Sequence, residues 1–552
     1  MSPSIQNDLP AAAVVSDETR ATCSSTANGP RWEVIAIVLA ILLFAAIRWR
    51  LRDVPLERDE GEYAYAGQLM LQGIPPYQIA YNMKLPGTYA AYAGIMSVFG
   101  QTTAGIHLGL LVVNLVSILL VYGLGKRLYG PRVGAIAGVT YGLLSVGPWV
   151  QGFAAHATHF VVVTAIAGLL LLFDAQRDGR EWKLFMAGLC LGLAFVMKQP
   201  GGAYGVFAVL YLAMSSSWRK TELRASLRRL FLLNLGMVLP FALTCLLLWR
   251  AGVFGRFWFW TFTYAYQYAT NVGAKEGWGY FVKYSSQAAG SAIAIWGLAG
   301  IGLTTFVWSR KARPHAVFML GLLLFSGLAF SAGLYFRPHY FILLLPALSL
   351  LVGLAIDSAA VLSSRSTNRF FHYFPVAIFV IAVIATFAQE FHFYFDADPV
   401  SASRYVYPKD PFPESVAIGR YIEKNFPPKA SMAVLGSEPQ IMFYSRRRSV
   451  TGYLYTYSLT EEQKYADTMQ RDLISQIEAA SPDFLVYIQD WLIRPGSDRT
   501  IFPWFRRYVV TKYRLVGIMR VRDGLQLRSE NEILQAPGNL EAAIFLYQRT
   551  SF

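Results

Sequence analysis

Eleven apolar blocks run through this chain, and they restrict it to one kind of surroundings. They fall at 34–47, 102–125, 133–149, 158–174, 184–198, 201–215, 230–250, 284–308, 315–335, 340–362 and 371–388. A hydrocarbon core about 30 Å thick needs about 20 apolar residues in a helix, and most of these blocks approach that length. Lipid offers backbone groups no hydrogen bonds, so each block must satisfy its own as a helix. Of 552 residues, 55% are apolar and 15% charged, a balance that excludes a soluble enzyme of this size. The expected fold is an α-helical polytopic membrane protein with about 11 transmembrane helices.

The formal charge of +15 does not point to nucleic acid, because its distribution follows the apolar blocks. Lys126, Arg127 and Arg132 lie in one short loop, and Arg177, Arg180 and Lys183 in another. Arg219, Lys220, Arg224, Arg228 and Arg229 follow, then Arg310, Lys311 and Arg313, then Arg365 and Arg369. Basic residues in every second loop mark the cytoplasmic side. The expected setting is therefore a bacterial inner membrane, with membrane lipids around a cytoplasmic N-terminus and an extracytoplasmic C-terminal region. The first block is flanked by Trp32 and Trp49 and followed by Arg48, Arg50 and Arg52 without a small-residue cleavage site. It reads as a retained anchor rather than a signal peptide. Its arginines then lie outside, against the trend.

Three regions follow. Residues 1–30, rich in Ser, Thr, Ala and Asn, read as a disordered cytoplasmic tail. Residues 31–388 form the transmembrane domain, with a long outer loop at 48–101 and another at 251–283. Residues 389–552 read as a small extracytoplasmic α/β domain. There, Ser431–Leu435 and Phe484–Ile488 suit buried strands, and Glu461–Ala480 suits the helix between them. No Gly-rich phosphate loop occurs there, so the sequence assigns this domain no catalytic part. Cys23, Cys190 and Cys245 have neither disulfide nor metal spacing, and no cofactor or metal is expected.

The loop at 48–101 carries the most informative residues. Glu57-Arg58-Asp59-Glu60-Gly61-Glu62-Tyr63 places four acids within six positions, next to the membrane. Tyr63, Ala66 and Met70 recur at helical spacing, which predicts a short surface helix. Lys84-Leu85-Pro86-Gly87 follows, and then an apolar stretch, Ala90 to Phe99, too short to span. Carboxylates at an interface cost free energy unless they are partnered or working. A carboxylate can take a proton from an acceptor, and a lysine can hold an anionic leaving group. Asp59 also has a structural reading, as an N-cap with Glu62 in the capping-box position.

The segment Asp59-Glu60-Gly61-Glu62-Tyr63-Ala64-Tyr65-Ala66-Gly67 with Lys84-Leu85-Pro86-Gly87 resembles the first outer loop of glycosyltransferase family 39-like membrane proteins. These are GT-C-type transferases, including protein O-mannosyltransferases, the lipid A aminoarabinose transferase and Rgt-type lipopolysaccharide glycosyltransferases. The resemblance continues through Lys198-Gln199-Pro200-Gly201, Phe257-Trp258-Phe259-Trp260 and Arg337-Pro338-His339-Tyr340-Phe341. It implies transfer of a sugar, with inversion, from a polyprenyl-phosphate donor such as undecaprenyl phosphate to a lipid, glycan or protein acceptor. It implies Asp59 as the catalytic base, Glu60 and Glu62 as acidic support, and Lys84 on the donor phosphate. Leu85 departs from the usual Pro.

A second departure lies after the third block. Many relatives place another acid there, whereas this chain has His156 and His159 in Gly152-Phe153-Ala154-Ala155-His156-Ala157-Thr158-His159. Either histidine can accept a proton, or both can simply be hydrogen-bonded at a helix end. Arg337 suits bidentate phosphate binding, and snorkelling at an interface is the other reading; Lys198, His339 and Tyr340 are secondary candidates. The aromatic run Phe257 to Tyr268, eight rings in twelve residues, suits a groove lining or an interfacial belt. A transporter or flippase of lipid-linked sugars would also have many spans. Internal repeats and broken mid-membrane helices would mark one; the sequence displays no repeat, and its candidate charges cluster at one face rather than at mid-depth.

Overall fold

A computed structural model describes residues 32–216, 219–365, 367–368, 370–489, 500–520 and 543–550. The N-terminal tail with Cys23, and Arg369 in the last basic loop, lie outside the described residues.

Helices occupy all eleven apolar positions. They are α1 (Trp32–Arg50), then, after two short loop helices α2 (Arg58–Leu71) and α3 (Gly87–Phe99), α4 (Thr103–Tyr129), α5 (Pro131–Val146), α6 (Ala157–Asp178), α7 (Trp182–Met197), α8 (Gly202–Ser215) and α9 (Leu223–Arg250). There follow the paired α10 (Ala274–Ala289) and α11 (Ile293–Trp308), then α12 (Ala316–Phe330), α13 (Leu345–Ser363) and α14 (Phe370–Gln389). Among the described residues, eight helical stretches are long and apolar enough to cross a membrane. The helices α5, α7 and α8, of 14 to 16 residues, are shorter.

The turns between them are chemically specified. Gly130, at φ +100°, breaks α4 and hands the chain to Pro131 at the first position of α5, where a missing N–H costs nothing. The basic loops cluster at one end of the bundle. There, Lys311 reaches Asp357 at 2.7 Å, Arg132 reaches it at 3.7 Å, and Arg127 pairs with Asp174. At the opposite end, Arg48 and Arg50, the residues that break the charge trend, are anchored. Arg48 donates to the carbonyls of Ser145 and Gly152, and Arg50 to those of Phe393 and Ala397. These guanidiniums pin loops together rather than sitting free in one.

Beyond α14 lies a four-stranded sheet of β1 (Met432–Leu435), β2 (Phe484–Ile488), β3 (Tyr513–Arg520) and β4 (Ala543–Arg549), in the order β1-β2-β4-β3. The pair β1–β2 is parallel, joined through a helix at Ala466–Ala480, and the other two pairings are antiparallel. The helix starts five residues later than its helix-forming composition suggested, because 461–465 turns around Gln463.

The apolar residues of this region do not form a core of their own. Leu56, Tyr65, Leu69 and Tyr89 of the first loop share one buried cluster with Ile418, Met432, Ile441 and Leu485. Loop and sheet region fold as one hydrophobic unit. Their close approach depends on two glycines. A Cβ on Gly61 would lie 2.7 Å from the backbone nitrogen of Gln440, and one on Gly452 would strike the Tyr81 ring.

Candidate functional site

Five chain segments meet at the end of the bundle away from the basic loops. They are the start of α2, the turn before α3, the residue capping α6, the residue ending α7, and the short 3-10 helix Pro338–Leu343.

The start of α2 is fixed by Glu57, not by Asp59. The Glu57 side chain accepts from the Glu60 N–H at 2.8 Å, and Glu60 returns the bond to the Glu57 N–H at 3.2 Å. The capping box is therefore Glu57 and Glu60, two residues earlier than the pairing of Asp59 with Glu62 considered from sequence. Asp59 stands free of the cap, one residue inside the helix.

The neighbouring acids then diverge in environment. Glu60 is buried, accepting from the Ala155 N–H at 2.5 Å and lying 3.0 Å from His107 Nε2. It ties α2 to α4 and to the turn before α6, and does not face Lys84. Asp59 and Glu62 both do. Lys84 Nζ lies 2.7 Å from Asp59 Oδ1 and 2.7 Å from Glu62 Oε2. Glu62 is fully buried and is further held by Asn82 at 2.6 Å and by the Tyr89 hydroxyl. The Asp59 and Lys84 side chains remain 24% and 17% exposed, so a ligand can reach them.

The electrostatics follow from this packing. Burial works against ionisation of Asp59, but the Lys84 ammonium, helped by His339 and His156, holds its carboxyl well below the usual range. Burial pulls Lys84 down, yet Asp59 and Glu62 together raise it above its ordinary value. Glu62 moves the other way: burial raises it and Lys84 only partly offsets that. Glu57, buried beside Asp59 and Glu60, is raised well above a normal carboxyl.

The second outer oxygen of Asp59 faces two histidines. His339 Nε2 lies 3.8 Å from Asp59 Oδ2, and the His339 ring stacks on His156 with centroids 4.1 Å apart. Burial lowers both, His156 to about 4. Among the described residues the His156 ring has no hydrogen-bond partner, its Nδ1 lying 3.5 Å from Glu57, which departs from the reading of a ring bonded at a helix end. His159 fits that reading, bonded to the Gly152 carbonyl at 3.0 Å and outside the cluster. Asp59, His156 and His339 each place one possible metal-ligand atom within 4.8 Å of the others. The two rings lie only 12° from parallel, so their in-plane lone pairs do not converge and a shared ion would require one ring to turn.

Lys198 lies 4.1 Å over the Tyr340 ring, and Arg337, exposed, donates to the Tyr268 hydroxyl at 2.9 Å. Of the sequence candidates, Asp59, Glu62, Lys84, His156, His339, Tyr340 and Lys198 form one cluster with Arg337 beside it, and Glu60 and His159 face elsewhere. The aromatic run divides. Trp260 is buried against Tyr81 and Tyr453, and Tyr264 is buried against Trp260, whereas Trp258 is exposed. Sequence reading missed Tyr455, whose hydroxyl lies 2.7 Å from Glu62 Oε2. It comes from the sheet region, 393 residues along the chain, and no local pattern marks it.

A cavity of about 730 Å³, almost wholly apolar, runs between the loop helices and the bundle, lined by Ile74, Pro75, Pro86, Met197, Leu243 and Leu247 among others. Two of its lining residues, Pro86 and Met197, are two and one residues along the chain from Lys84 and Lys198.

Residues 84–249 match the dolichyl-phosphate-mannose-protein mannosyltransferase family. The chain superposes on the crystal structure of ArnT from Cupriavidus metallidurans bound to undecaprenyl phosphate, with a TM-score of 0.59 and 16% identity over 93% of this chain and 98% of that one. This chain has the GT-C fold. The archaeal oligosaccharyltransferase AglB from Archaeoglobus fulgidus, in complex with an inhibitory peptide and a dolichol-phosphate, shares the GT-C architecture at a TM-score of 0.53 and 12% identity, over 94% of this chain and 76% of that one. No curated protein matches the chain in sequence. The GT-C fold, rather than a repeat-built transporter, accounts for the long first loop and the placing of its acids at one end of the bundle.

Proposed function

We propose that this protein is a membrane glycosyltransferase that moves a sugar from a polyprenyl-phosphate donor to a hydroxyl-bearing acceptor, with Asp59 as general base. The observation that carries the reading is Lys84 held between Asp59 and Glu62, two residues before Pro86, which lines the apolar cavity. The family match and the GT-C fold support the reaction class. The cavity suits part of a prenyl chain, and its position brings a phosphate to Lys84, with Arg337 and Lys198 nearby. ArnT with undecaprenyl phosphate supports the same kind of carrier here.

The acceptor oxygen attacks the anomeric carbon as the bond from that carbon to the phosphate oxygen breaks. The acceptor's proton passes to Asp59, and the polyprenyl phosphate leaves with its electron pair, its charge met by Lys84 and Arg337. A carboxylate held as low as Asp59 is a weak base. A donor phosphate that draws Lys84 toward itself weakens that hold and raises the basicity of Asp59 when the substrate is in place. Glu62 keeps Lys84 in the site.

From the basic loops at the opposite end we infer that this site lies on the outer face of a bacterial inner membrane, with a cytoplasmic N-terminus and residues from 389 onward outside. Reporter fusions after Arg229 and Arg313 read cytoplasmic and one after Gln389 reads outside; an outward 219–229 loop overturns the orientation. The chemistry is tested with Asp59→Asn in a transfer assay with purified polyprenyl-phosphate sugar. Because Glu57 caps the helix, the substitution leaves the cap intact, and turnover falls by about 10²-fold or more. Normal transfer by the folded variant ends the assignment.

A further inference from the structure

We propose that Tyr455, supplied by the segment that follows β1, is a positioning residue of the transfer reaction, orienting Glu62 and through it Lys84 and Asp59. The proposal rests on the reading of Asp59 and Lys84 given above and extends the working site into the sheet region.

Three observations carry it. The Tyr455 hydroxyl lies 2.7 Å from Glu62 Oε2, 3.2 Å from the Arg58 carbonyl and 3.5 Å from Asp59 Oδ1. Its single proton goes to the nearest and charged acceptor, Glu62. The same Glu62 oxygen takes Asn82 and Lys84, so Tyr455 closes a three-donor cage around the atom that positions the lysine. The Lys84 ammonium also lies 5.7 Å over the Tyr455 ring.

The segment is fixed in register against the loop it serves. Tyr81 N–H donates to the Gly452 carbonyl at 2.6 Å, and Ser449 N–H donates to the Tyr65 hydroxyl at 2.8 Å. On the other side of the docking surface, Arg58, next to Asp59, donates to the Ser437 carbonyl at 2.7 Å and pairs with Glu438 at 2.5 Å. A docking contact alone would need none of its hydroxyls to point at the two acids that hold Lys84. Tyr453, two residues earlier, is the contrast: its ring packs on Tyr81 and Trp260, but its hydroxyl turns away to Asp472 at 2.9 Å.

The test compares Tyr455→Phe with Tyr453→Phe in the full-length protein, measuring donor kcat and KM, the pH profile of kcat/KM, and thermal unfolding. Tyr455→Phe keeps the ring and loses one donor to a carboxylate, so kcat/KM falls about tenfold. A hydrogen bond to the ionised form favours it. Its loss lets Glu62 take a proton at higher pH, releasing Lys84, so the acid limb of the profile moves upward. Tyr453→Phe retains the wild-type limb. Unchanged kcat/KM and an unmoved limb in Tyr455→Phe overturn the proposal. So does an equal loss in both variants tracking equal loss of thermal stability, which assigns the segment to docking alone. An inactive Asp59→Asn beside a normal Tyr455→Phe sinks only this inference, whereas an active Asp59→Asn sinks the reading beneath it.

Discussion

The first loop and the segment that follows β1 meet the same two carboxylates from opposite directions, yet they differ in how they are built. The loop delivers Asp59, Glu62 and Lys84 from within 26 consecutive residues, with α2 as a rigid carrier and the turn before α3 bringing the lysine back. The segment at 449–457 delivers one tyrosine from the far end of the chain. It reaches the site only because the loop and the sheet region share a core. A site built locally is robust to distant change, whereas one completed by docking depends on the fit of two surfaces. The GT-C bundle therefore supplies the position of the reaction, and the sheet region sets how tightly its groups are held.

The largest effect that can break this comparison belongs to the loop's cation. Lys84→Ala removes the charge that Asp59 and Glu62 share, and we expect kcat/KM for the donor to fall by about 10- to 100-fold. Arg337→Ala, whose guanidinium is exposed, donates to Tyr268 and lies over the Tyr335 ring, loses less. The pH profile supplies the sign. In the wild type, Lys84 keeps Asp59 ionised well below the usual carboxylate range. Without the ammonium, burial dominates, Asp59 takes a proton at higher pH, and the acid limb of the remaining activity moves upward. An unmoved limb would detach Lys84 from Asp59. Wild-type donor kinetics in both variants would return the two cations to ordinary interfacial duty.

The next effect tests docking. Gly61→Ala adds a methyl that meets the Cβ, N and Cα of Gln440 at 2.6 to 2.8 Å. Most of the obstruction is backbone, so the two surfaces must separate rather than adjust a rotamer. Overpacking of this kind costs about 1–3 kcal/mol. The expected result is a lower unfolding temperature together with a several-fold loss of transfer, as Tyr455 draws back from Glu62. Full activity at lowered stability would say that the site does not depend on the fit of the sheet region.

How far the sequence shows this arrangement depends on the distance over which each contact forms. The helices were legible because the bilayer imposes length and apolarity on each one separately; all eleven apolar positions carry a helix. Asp59 and Lys84 were legible because both lie in one loop with a recognisable order. The cap was not, since Glu57 and Asp59 offer the same side-chain chemistry two residues apart, and only the path of the chain out of α1 decides between them. Arg48 and Arg50 looked like exceptions to the charge rule because their carbonyl partners, at Gly152 and Ala397, belong to loops remote in sequence. Strands β3 and β4 were not foreseen; β3 forms the edge opposite β1, and β4 lies between it and β2. Tyr455 is one of 32 tyrosines, and nothing near it in sequence sets it apart.

The smallest expected effect on turnover comes from the acid nearest the proposed base. Glu60 is adjacent to Asp59 in α2, and successive helical residues point about 100° apart, so the two carboxylates look into different parts of the protein. Glu60 meets the Ala155 N–H, His107 and the Glu57 N–H, all of them fixed structure. Glu60→Gln keeps the shape and one acceptor oxygen while removing the charge. We expect a stability loss of about 1–3 kcal/mol from weakened buried bonds, read as a lower unfolding temperature, with kcat within a few-fold of wild type. The turn at 152–156 would lose part of its anchor, and through it His156 would sit less firmly against His339, which accounts for the residual change. A variant of normal stability whose transfer falls as far as that of Asp59→Asn would show that α2 presents Glu60, not Asp59, to the acceptor, and the contrast between a working acid and a tying one would have to be reversed.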